Sequence, residues 1–280
     1  MFSAIKRWGE FIKISHTIFA MPFGLAAMLV AAGGVPTGRV LFGVLLCLVG
    51  ARTAAMAFNR LADWSIDQKN PRTAVRSTLV SKATAYVTMV GGSGLLVGGA
   101  WVLNPLCLML SPVALGIVCF YSVTKRFTWG SHGFLGLALG TAPVGGWLAV
   151  RGQFDSWVPI VLGCAVGLWV AGFDLIYALQ DREFDRREGL KSFPARFGER
   201  VTLRMAGGLH GLAVIFMGGF GWMAGFGWRY GAVWVVICLV LGVEAVWGRQ
   251  PERRQKAFFE ANAMVSGLVL GGVVWEIFWK

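Results

Sequence analysis

Residues 39–67 read RVLFGVLLCLVGARTAAMAFNRLADWSID, an apolar run that ends in two aspartates four positions apart, Asp63 and Asp67. A second run, 157–180, leads into YALQDREFD at 177–185 and ends the same way, in Asp181 and Asp185. These are four of the six aspartates in 280 residues; random scatter would give roughly 0.13 such pairs, so chance matching does not account for two. On a helix, that spacing sets both carboxylates on one face, about 5–6 Å apart at Cβ. Carboxylates held so close repel one another unless a cation lies between them. Hard divalent ions such as Mg²⁺ take oxygen ligands, commonly one or two carboxylates together with substrate phosphates. The pairs predict a diphosphate held through metal between two acidic helix ends.

The composition sets the surroundings of that site. Hydrophobic residues make up 56% of the chain and charged residues 14%, with a mean hydropathy of +0.64. A bilayer-crossing helix needs about 20 mostly apolar residues, and nine runs qualify: 15–34, 39–60, 83–102, 105–124, 131–150, 157–180, 201–225, 230–248 and 261–279. The expected fold is all-α and integral to the membrane, a single domain over 1–280 in contact with the lipid bilayer. Asn104-Pro105 predicts a tight turn between two spans. Residues 1–14 are polar and basic and the next run is long enough to span, which reads as no cleavable signal. Glycine-rich segments at 91–99 and 218–227 predict closely packed helices.

Basic residues set the orientation. The N-terminal segment and the loops after even-numbered spans hold 21 Lys and Arg, and the opposite side holds four: Arg39, Arg151, Arg229 and Lys280. The positive-inside rule then puts the N-terminus and both acidic motifs in the cytoplasm, so the net charge of +12 reflects topology. No motif supports nucleic-acid binding. The five cysteines lie in apolar runs without CxxC spacing and read as small buried hydrophobes. The three histidines are dispersed and suggest no metal site; His16 is placed to reach the pocket mouth.

One cation, Arg52, falls inside a span, and it recurs at helical spacing with Asn59, Asp63 and Asp67. The sixth span repeats the device with Asp174, Tyr177, Asp181 and Asp185. Ionisable groups at membrane depth face a cavity or a partner. Two arrangements stay open here: Arg52 and Asp174 neutralise each other, or both line a polar cavity. Arg72, Arg76, Lys125, Arg126, Arg182, Arg186, Arg187 and Lys191 crowd the same side, and guanidinium forks and ammonium groups suit phosphate oxygens.

NRLADWSID with the downstream NPRTAVR, and YALQDREFD with the downstream EGLKSFPARFG, resemble the two signature regions of the UbiA superfamily of intramembrane prenyltransferases. FYSVTKRFT and GLALGTAPVGGWLAV are similar to its aromatic-acid branch. The resemblance implies nine transmembrane helices around a central cavity, capped by cytoplasmic loops. It implies Mg²⁺ held by Asn59, Asp63, Asp67, Asp181 and Asp185, with these aspartates in catalysis and no metal role for Arg60. It implies a donor diphosphate bound by Arg72, Arg76, Lys125 and Arg126, with Tyr177 opening the second motif. The activity implied is transfer of a polyprenyl group from polyprenyl diphosphate to a hydroxylated aromatic acid, of the 4-hydroxybenzoate or 1,4-dihydroxy-6-naphthoate type, in ubiquinone or menaquinone synthesis. Asp174 or Asp181 would orient or deprotonate the acceptor hydroxyl, and Arg52 would hold its carboxylate. The setting implied is a bacterial inner membrane. Competing expectations are haem, chlorophyll or lipid acceptors within the superfamily and, outside it, a transporter whose charges line a permeation path.

Overall fold

A computed structural model describes residues 2–13 and 19–279, without the side chains of residues 2–5 and Ala257. His16 lies outside the described residues. Within them the chain is helical, without strands: α1 (Phe2–Phe11), α2 (Met21–Ala32), α3 (Gly38–Ala62), α4 (Trp64–Lys69), α5 (Lys82–Leu103), α6 (Pro105–Thr124), α7 (Ser131–Arg151), α8 (Val158–Ala178), α9 (Arg182–Arg187), α10 (Phe193–Met223), α11 (Trp228–Gly248), α12 (Arg254–Lys256) and α13 (Asn262–Phe278). Eight helical segments are long and apolar enough to cross a membrane, and α2 is a shorter apolar helix. This matches the expectation of about nine spans.

Local chemistry sets the boundaries. α2 starts with Pro22 in its first turn and stops at Gly33, whose φ of 64° closes the helix through bonds to Leu29 and Val30. The expected span 15–34 thus contains only the helix Met21–Ala32 among the described residues. The turn at Asn104-Pro105 forms as expected. The Asn104 Oδ1 accepts from the Cys107 N–H at 2.9 Å, and its Nδ2 donates to the Leu148 carbonyl at 2.9 Å, so one side chain caps α6 and ties it to α7. α10 begins earlier than its apolar run and breaks at Gly198, where φ is 78°.

The helices close into a ring. α3 packs on α5, α6 and α7; α7 on α8; α8 on α10; α10 on α11; α11 on α13; and α13 returns to α2, which touches α7 and α3. In a bilayer the apolar effect does not drive helices together, and close van der Waals approach does. Small residues permit it at α3–α5, where a Cβ on Gly50 would fall 2.5 Å from the Leu96 backbone nitrogen and one on Gly92 would fall 2.6 Å from that of Ala54. Trp169 on α8 is fully buried. It packs on Phe23 and Phe173, with ring centroids 5.2 and 5.0 Å away, and this aromatic core fixes the face of α8 that carries Asp174 and Tyr177.

Candidate active site

Both acidic motifs sit where a spanning helix breaks, not on one continuous helix as their spacing predicts. α3 ends at Asp63, with φ −93° and ψ 10°, and the chain restarts as α4. The Asp67 N–H still donates to the Asp63 carbonyl at 2.7 Å, so the pair stays together across the kink. α8 ends in the same manner: a single 3₁₀ turn carries Leu179–Asp181, and Asp185 lies on α9. The breaks turn the carboxylates inward at one end of the bundle.

The first motif is then clamped onto the second. The Arg72 Nε donates to Asp181 Oδ1 at 2.8 Å, Nη2 pairs with Asp181 Oδ2, and Nη1 donates to the Tyr177 hydroxyl at 2.8 Å. Burial works against the Arg72 charge, but the hydrogen bonds to Asp181 and the nearby Tyr177 outweigh it and hold the guanidinium above its ordinary pKa. Asn70 adds a second strut, its Nδ2 donating to Asp181 Oδ1 at 3.0 Å while its Oδ1 accepts from the Arg72 N–H at 3.0 Å.

Organic cations serve the carboxylates of the first motif. Lys125 Nζ donates to Asp63 Oδ2 at 2.6 Å, and Asn59 Nδ2 reaches the same oxygen at 3.4 Å. Arg76 and Arg60 lie 3.3 and 3.7 Å from the two oxygens of Asp67. Among the described residues no group of three or more His, Cys, Asp or Glu is close enough to hold a metal ion. The donor set nonetheless fits a hard divalent cation. It is built of carboxylate and amide oxygens, and Asp63 Oδ1 is buried without a hydrogen-bond partner, with the Arg126 Nη2 3.7 Å away.

These groups surround a polar chamber of about 270 Å³. Six Lys and Arg line it, Lys13, Arg52, Arg60, Arg72, Arg76 and Lys125, against four aspartates, Asp63, Asp174, Asp181 and Asp185. The excess of positive charge calls for an anion. Asn59, Tyr177, Phe19, Phe173 and Phe258 complete much of the wall. Asp67 and Arg126 are absent from it. Asp67 is buried against Arg60 and Arg76, and Arg126 is exposed, donating to the Ala62 carbonyl at 2.6 Å. Arg182, Arg186, Arg187 and Lys191 also lie off the lining; Lys191 stacks on Trp129 at 5.7 Å.

The Arg52–Asp174 pair does not form. Asp174 Oδ2 is instead 2.6 Å from the His132 Nδ1, and the Arg52 Nε is buried without a hydrogen-bond partner. α7 brings His132 to Asp174 across 42 positions of sequence, a meeting that dispersed histidines do not signal. Lys13 was also missed. It lies just past α1 with φ 52°, and burial, followed by the charges of Arg76 and Arg60, pulls its ammonium below its ordinary pKa.

Arg52 marks a junction, because with Phe19 and Leu139 it borders a second chamber of about 200 Å³. That space is almost wholly apolar, walled by residues such as Val44, Leu48, Leu96, Leu110 and Val118. A charged cup thus adjoins an apolar sleeve.

A sequence profile described as the UbiA prenyltransferase family matches residues 20–265. The 4-hydroxybenzoate octaprenyltransferase of Alcanivorax borkumensis is 34% identical over 206 residues, covering 71% of each chain. That of Haemophilus ducreyi is 29% identical and covers 95% of this chain and 97% of its own. The apo structure of a UbiA homolog from Aeropyrum pernix superposes with a TM-score of 0.85 at 32% identity, over 92% of this chain and 97% of that one. A UbiA homolog from Archaeoglobus fulgidus bound to DMAPP and Mg²⁺ shares the fold at 17% identity, with a TM-score of 0.70.

Proposed function

Because this chain belongs to the UbiA prenyltransferase family, we propose that it transfers a polyprenyl group from polyprenyl diphosphate to a hydroxylated aromatic acid of the 4-hydroxybenzoate or 1,4-dihydroxy-6-naphthoate type. The pathway would be ubiquinone or menaquinone synthesis, in a bacterial inner membrane with both acidic motifs on the cytoplasmic side. The observation that carries this reading is the junction at Arg52, where a cationic cup meets an apolar sleeve. Such a cavity matches an amphiphile with a charged head and a hydrocarbon tail.

Arg72, Arg76 and Lys125, with Lys13, hold the diphosphate oxygens. Mg²⁺ bound through Asn59, Asp63, Asp67, Asp181 and Asp185 would neutralise charge growing on the leaving diphosphate. The bond between the allylic carbon and oxygen breaks, and its electron pair stays on the diphosphate. The residual allylic cation sits among Tyr177, Phe19, Phe173 and Phe258, whose ring faces stabilise it by cation–π attraction while the apolar sleeve excludes water. A ring carbon activated by the acceptor hydroxyl then attacks, and the ring loses a proton. Asp174, bonded to His132, fits the role of taking a proton from the acceptor, since Asp181 is already committed to Arg72. Arg52 would hold an acceptor carboxylate, supplying the partner its Nε lacks.

The test is product analysis. Membranes containing the protein, supplied with labelled polyprenyl diphosphate and each of the two aromatic acids, should yield a prenylated acid with release of diphosphate. Inertness toward hydroxylated aromatic acids, with prenylation of a haem, chlorophyll or lipid acceptor, would overturn the assignment.

A further inference from the structure

α8 separates two charged spaces. Asp174, Tyr177 and Asp181 face the chamber described above, whereas Ile176 borders a groove of about 610 Å³ between α10 and α11. The groove is at the same end of the bundle as the acidic motifs. There Arg254 Nε donates to the Gly248 carbonyl at 3.0 Å and its Nη2 pairs with Glu199, which joins the end of α11 to the start of α10.

Three guanidiniums line the groove: Arg200 and Arg204, one turn apart on α10, and Arg249 just beyond α11. All three are exposed, and among the described residues none is hydrogen-bonded or ion-paired. Glu199, the carboxylate at the rim, is taken by Arg254. Solvated arginines at one end of a membrane protein are ordinary orientation charges. What distinguishes this set is that all three share one groove between helices, over a buried imidazole. His210, two turns deeper on α10, is 4% exposed and lines the groove. Its ring lies against Gly172 and is bonded to the Trp169 backbone, both on α8. Behind it, 4.0 Å from Nδ1, is the buried Glu244, whose Oε1 accepts from the Asn262 Nδ2 at 3.2 Å. Three free guanidiniums gathered over one groove, whose rim carboxylate is already paired, form a donor set suited to an acceptor-rich anion.

We propose that this groove is a second binding site, for a phosphate group, and that the headgroup of an anionic phospholipid supplies it. Arginine forks match phosphate oxygens, and basic pockets between spanning helices bind anionic headgroups. The flanks suit acyl chains: Val201, Met205, Val243 and Val246 all present exposed apolar side chains beside the arginines. None of these residues belongs to the prenyl-transfer chamber.

Detergent-purified protein is titrated with phosphatidylglycerol, with phosphatidylcholine, or with inorganic phosphate, while thermal unfolding and, by native mass spectrometry, retained lipid are followed. Phosphatidylglycerol should raise the unfolding temperature by several degrees and remain bound, with phosphatidylcholine far weaker. Arg204→Gln alone should weaken the effect about tenfold in lipid concentration, on the scale of one charged hydrogen bond. The triple variant R200Q/R204Q/R249Q should abolish it while prenyl transfer in membranes continues. A shift produced equally by inorganic phosphate and lost in the triple variant would keep the phosphate site and overturn the lipid as its source. An undiminished phosphatidylglycerol shift in a folded triple variant would overturn the site itself.

Discussion

Arg72 holds both oxygens of Asp181 and the hydroxyl of Tyr177 with one guanidinium, so it sets the second motif as well as lining the chamber proposed for the diphosphate. Arg72→Ala should lower kcat/KM for the donor by on the order of 10²-fold, since each hydrogen bond to a charged group is worth about 1.5–3 kcal/mol. Arg72→Lys should recover only part, because an ammonium cannot reproduce the fork; a rise confined to the acceptor KM would mean the two pockets are assigned in reverse. Lys13 carries the opposite strain. Its lowered pKa, caused by burial and then by Arg76 and Arg60, means that the folded protein disfavours the charged ammonium. That penalty is complete below the folded pKa and fades as pH climbs through it toward the ordinary 10.5. Lys13→Met should therefore raise thermal stability near neutral pH, the gap to wild type should close in alkaline buffer, and the donor KM should rise because a phosphate partner is gone. A variant with unchanged donor KM would remove Lys13 from the site. Arg52→Gln should impair a carboxylated acceptor much more than the matching phenol, whereas equal losses with both acceptors would show that Arg52 only supports the fold.

Helix contacts decide how the chamber keeps its shape. At the α3–α5 crossing, Gly50→Val would drive a side chain into the Leu96 and Gly92 backbones, which cannot retreat as a flexible side chain can. A loss of at least about 1–3 kcal/mol is expected from such overpacking, measured as a lower unfolding temperature. Gly91→Ala, on the partner helix α5 with nothing within 4 Å of the new methyl, should be close to neutral, and equal damage from both would dissociate stability from the crossing. The same elements explain what the amino-acid sequence could and could not disclose. Hydropathy and capping are local, so the spans, the Asn104 turn and the four aspartates were legible from residue order. The kinks at Asp63 and Asp181 were not, because a spacing of four suits both an unbroken helix and a break that retains one backbone bond. Asp174 meets His132 only when α7 packs on α8, and no periodicity within either helix encodes that pairing. Arg52 and Asp174 line one chamber without touching, and residue order alone could not choose between a pair and a shared cavity.

Across the whole molecule, one end of the ring gathers charge around a polar chamber while the membrane-depth part of the same cavity is apolar. The proposed donor would span both compartments, and the carboxylates that now pair with Lys125, Arg76, Arg60 and Arg72 would exchange some of these partners for metal as the cations turn to phosphate oxygens. Asp63→Ala, Asp181→Ala and Asp185→Ala should each cost orders of magnitude in turnover while the protein stays inserted in the membrane, because each removes an oxygen from the donor set. The most direct measurement of this arrangement is the rate of prenyl transfer by washed membranes at saturating donor and acceptor as free Mg²⁺ is titrated from an EDTA-stripped start. The rate should be negligible in EDTA, climb with Mg²⁺ and saturate in the wild type, and stay low throughout in Asp63→Ala; full activity in EDTA would contradict a metal-bridged diphosphate.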